Sequence, residues 1–354
     1  MNSGLVEASW VLLFGFGGLG LVTFVLLVLA RVSRDAWERR RGRRRDEVRT
    51  LLFGALMGEP EEAHRAATEL SGRTGRAWTA VADQGFEMLP KIKGESRAVL
   101  VEMLLAKGAA RRARSLCGSF SAVRRCRGAY ALGSLGQRES VAELVPLLSD
   151  RHFLVRRVTV RALGNIRAAS AVGPLLNAIG EDARLSRDLV FALDRIGPAG
   201  AAGLRAELQR GLDRSAGGGR HADLAVVVLG HIGDVSSVPM LAQAMQARRL
   251  SLAVAAAEAL GRIGSPDSIP FLVEALVAER PEVRSAAARA LGGVGSPMAA
   301  DSLLDAVDER DPVVSREAAE ALVRLHEPGL QVLRTSDSPY AVEALAMAAL
   351  RGTR

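Results

Sequence analysis

One pattern of apolar and polar positions recurs along most of the chain. A small residue and a leucine are usually followed by glycine, then by a variable residue, an aliphatic residue and a second glycine. The copies are ALGSLG (131–136), ALGNIR (162–167), ALDRIG (192–197), VLGHIG (228–233), ALGRIG (259–264), ALGGVG (290–295) and ALVRLH (321–326). Successive copies begin 31, 30, 36, 31, 31 and 31 residues apart. A period of this size predicts a solenoid, in which similar units stack in a row.

Each period predicts a pair of helices. The first helix carries an apolar face, as in SIPFLVEALVAE (268–279), and a short polar turn follows it. The second helix is rich in alanine, as in VRSAAARALGGVG (283–295), and its glycines are expected to end it. Pro281 and Pro312 suit the first turn of a helix, where the missing N–H is not needed. Apolar residues at helical spacing predict the buried face of this second helix: Val283, Ala286, Ala287, Ala290, Leu291 and Val294.

The phrase at 283–295 resembles the HEAT-repeat family, in particular the short bacterial form known as PBS-lyase HEAT-like repeats. The resemblance implies an all-α fold, an α-solenoid of HEAT-like helix pairs, over residues 120–354. It implies binding along an extended surface and does not imply lyase activity, because this fold serves many roles. Residues 50–119 are expected to be either diverged helical repeats or a cap. The long step holds a glycine-rich segment, 213–222, which is either a tolerated insertion or a partner-binding loop.

The N-terminal segment follows a different pattern. Residues 10–30 form a run of 21 residues without a charge. A helix of that length spans about 30 Å, the thickness of the hydrocarbon layer of a bilayer, so we expect a single transmembrane helix at 10–30. GFGGLG (15–20) matches a dinucleotide-binding fingerprint, but it lies inside this apolar run, and no cofactor is predicted. Its glycines are expected to face either another helix or lipid.

Basic residues follow the apolar run at once. Residues 31–49 form an Arg-rich juxtamembrane segment with nine Arg and four acidic residues. Short basic flanks stay on the cytoplasmic side, so we expect an outside N-terminus and a cytoplasmic solenoid at a bacterial inner membrane. The arginines expected to set this topology and to contact anionic headgroups are Arg31, Arg34, Arg39, Arg40, Arg41, Arg43, Arg44 and Arg45.

A second basic segment, 103–138, carries eight basic residues and no acidic one, in a chain with a net charge of +8. The candidate residues for binding an anion or a partner are Lys107, Arg111, Arg112, Arg114, Arg124, Arg125 and Arg127. The ligand classes that stay open are an acidic protein surface, anionic lipid headgroups and nucleic acid. The alternative is a solvated arginine-rich surface. Only Phe120 and Tyr130 are aromatic here, too few for a platform that stacks single-stranded bases.

The chain shows no recognisable catalytic, metal-binding or cofactor-binding motif. Cys117 and Cys126 form neither a disulfide framework nor a zinc pattern, and the five histidines share no ligand spacing. Deoxyhypusine hydroxylase is similar in repeat type and holds two irons with several His-Glu pairs, whereas His326–Glu327 is a single pair. We therefore expect a membrane-anchored scaffold that binds a protein partner, such as a membrane enzyme or transport assembly. A solenoid that binds nucleic acid or anionic lipid, and an enzyme of unrecognised type, are the alternatives.

Overall fold

The computed structural model describes residue 31 and residues 46–181, 183–213 and 219–352. The regular structure of these residues is entirely helical, which confirms the predicted all-α class for this part of the chain. The chain divides into two compact units, Met1–Ala109 and Ala110–Arg354. The division lies upstream of the predicted boundary at residues 119–120.

The described part of the first unit contains four helices: α1 (46–57), α2 (Pro60–Gly72), α3 (Gly75–Met88) and α4 (Gly94–Ala106). Pro60 and Gly94 stand at the starts of α2 and α4, and α3 packs against α4. The largest buried side chains of this unit are leucines together with one tryptophan: Leu52, Leu70, Trp78, Leu89, Leu100 and Leu104. The unit therefore has an apolar core of its own.

The second unit is a succession of helix pairs. The first helices of the pairs are α5 (Ala109–Cys117), α7 (Val141–Leu144), α9 (Val172–Glu181), α11 (Ala201–Asp213), α13 (Val238–Met245), α15 (Ile269–Ala275), α17 (Ala300–Val307) and α19 (His326–Leu333). The second helices are α6 (Ala122–Leu135), α8 (Phe153–Ile166), α10 (Ser186–Ile196), α12 (Arg220–Ile232), α14 (Leu250–Ile263), α16 (Pro281–Val294), α18 (Pro312–Arg324) and α20 (Pro339–Gly352). Each second helix packs against the next one along the chain, so these helices form a continuous row.

The recurring phrase holds this row together. Its leucine is at most 1% exposed in every copy: Leu132, Leu163, Leu193, Leu229, Leu260, Leu291 and Leu322. Its first glycine lies where the next second helix approaches most closely. A Cβ added at Gly261 would lie 2.7 Å from the Cα of Ala290, and one at Gly292 would lie 2.8 Å from the Cα of Ala321. A side chain at these positions would push neighbouring repeats apart.

The last residue of the phrase has a positive φ angle in every copy. It ends the second helix in the left-handed conformation at Gly136, Arg167, Gly233, Gly264 and Gly295. The φ angle is +72° at Gly136 and Gly295, and the other glycine copies are close to this value. The predicted helix stop is confirmed. Arg167 and His326 stand at the same position and keep φ angles of +57° and +58°. This conformation costs a side chain roughly 1 kcal/mol, which glycine avoids. His326 thus marks the junction between α18 and α19.

The predicted helix over 268–279 is wrong at both ends. Ser268 belongs to a 3₁₀ turn, Pro266–Ser268, and α15 ends at Ala275. The residues after it form a turn closed by backbone hydrogen bonds, and the carbonyls of Ala278 and Glu279 accept further hydrogen bonds from Arg284 Nη1, at 2.8 and 2.9 Å.

The second helix agrees better with its prediction. Pro281 and Pro312 occupy the first turns of α16 and α18. Five of the six residues predicted for the buried face of α16 are at most 4% exposed, and Val294 is half-buried.

The row is less regular between α10 and α12. Asp194 and Val228 replace the glycine and alanine that meet between other repeats, and these two helices pack less closely. The step between phrases is also the longest at this point. Residues 214–218, the centre of the predicted loop 213–222, lie outside the described residues.

Candidate partner-binding surface

Arg125 and Asp150 form a buried ion pair that joins successive repeats. Arg125 donates from Nε to Asp150 Oδ2 at 2.6 Å and from Nη2 to Oδ1 at 2.9 Å. Its Nη1 donates to the carbonyls of Ser119 and Phe120, both at 2.9 Å. The two charged side chains are only 9% and 8% exposed. Arg125, predicted to bind an anion or a partner, therefore has its guanidinium engaged inside the protein.

The pair also controls the charge of its two members. Burial opposes ionisation of Asp150, but hydrogen bonds from Arg125 and from the backbone N–H of His152 outweigh burial and lower the pKa of this carboxyl group. The hydrogen bond to Asp150 raises the pKa of Arg125 further above its ordinary value. Both groups therefore stay charged at neutral pH.

The same arrangement recurs near the other end of the row. Arg284 stands at the phrase position of Arg125, and its Nε and Nη2 donate to the Glu309 carboxylate at 2.6 Å each. Its Nη1 donates to two carbonyls of the turn before α16. Arg156 holds this position in α8 and donates to the carbonyl of Asp150 at 2.6 Å. We call the arrangement of Arg125 and Arg284 the repeat clasp.

Two more of the predicted residues are engaged elsewhere. Lys107 belongs to the first unit, where its Nζ donates to the carbonyl of Ser71 and lies 5.5 Å from the centroid of the Trp78 ring. Arg114 Nε lies 2.8 Å from Glu143 Oε1. The seven predicted residues therefore do not form a single site.

Four predicted residues are exposed: Arg111 and Arg112 on α5, and Arg124 and Arg127 on α6. Within the described part of the chain, none of the four has an ion-pair partner. Arg124 stands at the phrase position of Val283, which is buried in the repeat stack. Arg124 therefore places an exposed charge at a position that is apolar and buried in the repeat of α16.

The two cysteines are free thiols. Burial, followed by the charge of Glu143, raises the pKa of Cys117 to about 11, so this thiol is protonated at neutral pH. Cys126 is half-buried, and burial raises its pKa as well. Within the described ranges, no group of His, Cys, Asp and Glu residues is arranged to hold a metal ion.

A surface on α8 and α10 was missed by the sequence analysis. Arg157 and Arg161, one turn apart on α8, direct their Nε atoms to Oδ2 and Oδ1 of Asp188 on α10, at 3.0 and 2.9 Å. Asp188 is 13% exposed, whereas the two arginines are 44% and 54% exposed. One sheltered carboxylate thus orients two exposed guanidinium groups and leaves a net positive charge.

Apolar side chains lie beside these arginines. Leu154, one turn before Arg157, is 58% exposed, and Phe191, one turn after Asp188, is 53% exposed. The Cζ atom of Arg195 lies 5.8 Å from the centroid of the Phe191 ring. Leu154, Arg157, Arg161, Phe191 and Arg195 are called the basic–apolar surface below. The sequence contained a signal for this surface. Tyr130, Arg161 and Phe191 all directly precede a copy of the recurring phrase, so they occupy one variable position of the repeat.

The equivalent positions near the C-terminus have balanced charges. Arg289 and Glu317 stand at the phrase positions of Arg161 and Asp188. Arg289 donates from Nε and Nη2 to the Glu317 carboxylate, at 3.1 and 2.7 Å, and its Nη1 lies 3.4 Å from Glu258. Glu258 also pairs with Arg262 at 3.3 Å. These four residues are called the balanced face below.

The predicted membrane segment lies almost wholly outside the described residues. Of its arginines only Arg31 is described, and it is exposed. The predicted helix at 10–30, together with Arg34, Arg39, Arg40, Arg41, Arg43, Arg44 and Arg45, falls outside them. A search of the described helices found none with the length and apolar character needed to span a membrane. The anchor and its topology therefore stay predictions.

HEAT repeats are found by comparison with protein families at residues 115–194, 219–281 and 269–351, which together make up more than half of the chain. The chain belongs to the HEAT-repeat family. The matched HEAT repeats include α6 and α8 as well as α14 to α18, so both the Arg161 and the Arg289 positions lie within them. The predicted HEAT-like solenoid is confirmed for the second unit. The first unit lies outside the matches, and whether it is a diverged repeat or a cap stays open.

Several solved structures are similar in fold. Human deoxyhypusine hydroxylase in complex with glycerol is 21% identical, with a TM-score of 0.32, over 71% of this chain and 99% of that chain. The CpcE–CpcF complex of phycocyanin lyase from Nostoc sp. PCC7120 is 17% identical, with a TM-score of 0.29, over 79% and 94%. Kap95p, in a structure with RanGDP, is 14% identical, with a TM-score of 0.48; 85% of this chain matches 48% of that one. No curated protein sequence matches the chain.

Proposed function

We propose that the chain is a scaffold whose HEAT-repeat solenoid binds a protein partner at a membrane. The observation that carries this proposal is the basic–apolar surface, where Phe191 and Leu154 are more than half exposed beside two arginines that share one carboxylate. Exposed apolar groups rimmed by charge are typical of protein-binding surfaces. In this proposal the chain is not an enzyme, and binding depends on shape and charge.

The tether in this proposal is the uncharged run at 10–30, followed by nine arginines within residues 31–49. It would hold the solenoid on the cytoplasmic side of an inner membrane and raise the effective concentration of the solenoid near membrane-embedded partners. Deletion of residues 10–30 is expected to move the protein from the alkali-resistant membrane pellet to the supernatant. A C-terminal reporter that is active only outside the cytoplasm should stay inactive; its activity would contradict the orientation.

Site-specific photo-cross-linking in cells tests the scaffold function directly. A photoreactive amino acid replaces Phe191 in one variant and Glu320 in the other, because both residues occupy the same phrase position on second helices. We expect a discrete cross-linked species at position 191 that is absent at position 320, with the partner identified by mass spectrometry. Absence of any cross-linked protein at position 191, or the same set of proteins at both positions, would count against this function.

Nucleic-acid binding is the second candidate, because Arg111, Arg112, Arg124 and Arg127 are exposed and lack ion-pair partners within the described part of the chain. It predicts binding of DNA or RNA by the detergent-solubilised chain that weakens steeply with salt and disappears when the four residues are changed to Glu. Absence of binding at low salt would eliminate this candidate.

A further inference from the structure

The basic–apolar surface has guanidinium groups with uncommitted ends. Arg157 and Arg161 both bond to Asp188 through Nε, and their Nη atoms make no hydrogen bond to any residue that the structure describes. An arginine can donate two parallel hydrogen bonds to a carboxylate through its planar fork. The interaction with Asp188 therefore fixes the direction of two donors and leaves their outer ends available.

The neighbouring side chains indicate what else a ligand must present. Phe191 lies on the same face of α10 as Asp188, and the guanidinium of Arg195 lies over the Phe191 ring. The Nε of Arg195 is buried and has no hydrogen-bond partner among the described residues. Leu154 extends the apolar area on α8, three residues before Arg157. A ligand that pairs with the arginines would thus also contact one aromatic and one aliphatic side chain.

The surrounding charge favours an anionic ligand. Residues 110–200 of the second unit contain 15 Arg and seven acidic residues, a net charge of +8. Residues 251–350 contain eight Arg and 15 acidic residues, a net charge of −7. The basic–apolar surface therefore lies in the positive half of the solenoid, where long-range attraction would guide an acidic partner.

We propose that Arg157, Arg161, Phe191 and Leu154 bind an acidic peptide segment of the partner, one in which aliphatic residues are interspersed among Asp or Glu residues. This proposal rests on the proposed scaffold function and names the chemistry of its partner. An acidic peptide suits the surface better than a nucleic acid, because Asp188 lies between the arginines and Leu154 offers no face for base stacking. Carboxylates would pair with the outer Nη atoms, and aliphatic side chains would cover Phe191.

The test measures binding of a short fluorescent peptide of Glu-Glu-Leu repeats to the detergent-solubilised full chain by fluorescence anisotropy. A peptide of Gln-Gln-Leu repeats is the charge control. R161Q and R157Q are each expected to weaken binding by about tenfold, since a charge-assisted hydrogen bond contributes about 1.4 kcal/mol or more. R289Q removes an arginine from the same phrase position as Arg161 but should change binding by less than about twofold.

A second pair of variants distinguishes binding at a specific site, with a defined aromatic contact, from general charge attraction. F191A should weaken the Glu-Glu-Leu peptide several-fold, whereas F271A, which removes an exposed phenylalanine from α15, should leave its affinity unchanged. The proposal is overturned if R161Q and R289Q weaken binding equally, if F191A has no effect, or if a DNA oligonucleotide binds more tightly than the peptide with the same dependence on Arg161. Peptide binding without any cross-link at position 191 in cells would contradict the scaffold function alone. A cross-link at position 191 without peptide binding would contradict only the acidic-peptide proposal.

Discussion

The basic–apolar surface and the balanced face occupy equivalent positions of one repeat but have different chemistry. Arg161 and Arg289 share a phrase position, as do Asp188 and Glu317. In the balanced face, Arg289 is bonded to two carboxylates and retains little capacity for a ligand. In the basic–apolar surface, one carboxylate serves two arginines. The difference shows that one repeat frame can carry either a surface whose charges pair with one another or a surface whose arginines outnumber the carboxylates that they contact.

The repeat clasp gives the largest expected effect, and it should be common to both regions. R125M would leave Asp150 buried without its partner, and unpaired buried charges are strongly destabilising. We expect the thermal midpoint of the second unit to fall by about 6–12 °C in R125M, and by less in R284M, because Glu309 is more exposed than Asp150. All three tryptophans, at positions 10, 37 and 78, lie outside this unit, so tryptophan fluorescence would not report on its unfolding. Circular dichroism should therefore be used to follow unfolding.

R124M is the matched control, because Arg124 precedes Arg125 in sequence but is exposed. Its midpoint should remain within about 1 °C of the parent, as for most surface substitutions.

The clasp also predicts a pH dependence. Because the folded pKa of Asp150 is lowered, its contribution is present above the unfolded value of about 4 and is lost as pH falls through the folded value. The difference in thermal midpoint between the parent and R125M should therefore become smaller on acidification. A difference that does not change with pH would contradict the assigned role of the ion pair.

Close approach between repeats gives the next effect, and it tests whether both regions share one backbone frame. G133A and G261A would each place a methyl group within 3 Å of an alanine in the next second helix. Each should lower the free energy of unfolding by about 1–3 kcal/mol. G173A is the control: a Cβ added at Gly173, in α9, would have no neighbouring atom within 4 Å, and alanine there should be neutral or slightly stabilising. A large effect in only one region would show that the two regions do not share this frame.

Substitution of the two non-glycine residues with left-handed φ angles should give a smaller effect, and this effect should be a gain in stability rather than a loss. R167G, at the end of the helix that carries Arg157 and Arg161, and H326G, after the helix that carries Glu317, should each raise the free energy of unfolding by about 1 kcal/mol, because glycine adopts this conformation without strain. Urea denaturation followed by circular dichroism measures the gain. G136A, at the same phrase position, should be destabilising by a similar amount. A loss of stability in R167G would indicate that the arginine side chain makes a contact that outweighs the strain.

The sequence predicted the repeat more accurately than the surface. The phrase leucines, the helix-ending glycines and the buried face of α16 follow from periodicity, because apolar spacing reports directly on burial. The first helices were predicted less well, because α15 ends at Ala275 and the turn after it is bonded to Arg284 on the next helix, a contact that apolar spacing does not report. The predicted basic segment, 103–138, likewise grouped residues that are adjacent in sequence, whereas Arg125 pairs with Asp150 and Lys107 contacts Trp78. Sequence proximity cannot distinguish an engaged arginine from an available one.

Removal of the two equivalent arginines gives the smallest stability effect and distinguishes the faces most directly. R289Q breaks interactions with Glu317 and Glu258, and partly exposed pairs of this kind contribute about 0.2–1 kcal/mol. R161Q removes one of two arginines that share Asp188, so relief of repulsion between like charges should offset the lost pair and leave stability nearly unchanged. Chemical denaturation at low and high salt measures the free energy of unfolding of both variants. The stability lost in R289Q should become smaller as salt screens the charges. If R161Q is the more destabilising variant, Arg161 serves the fold, and the basic–apolar surface loses its distinction from the balanced face.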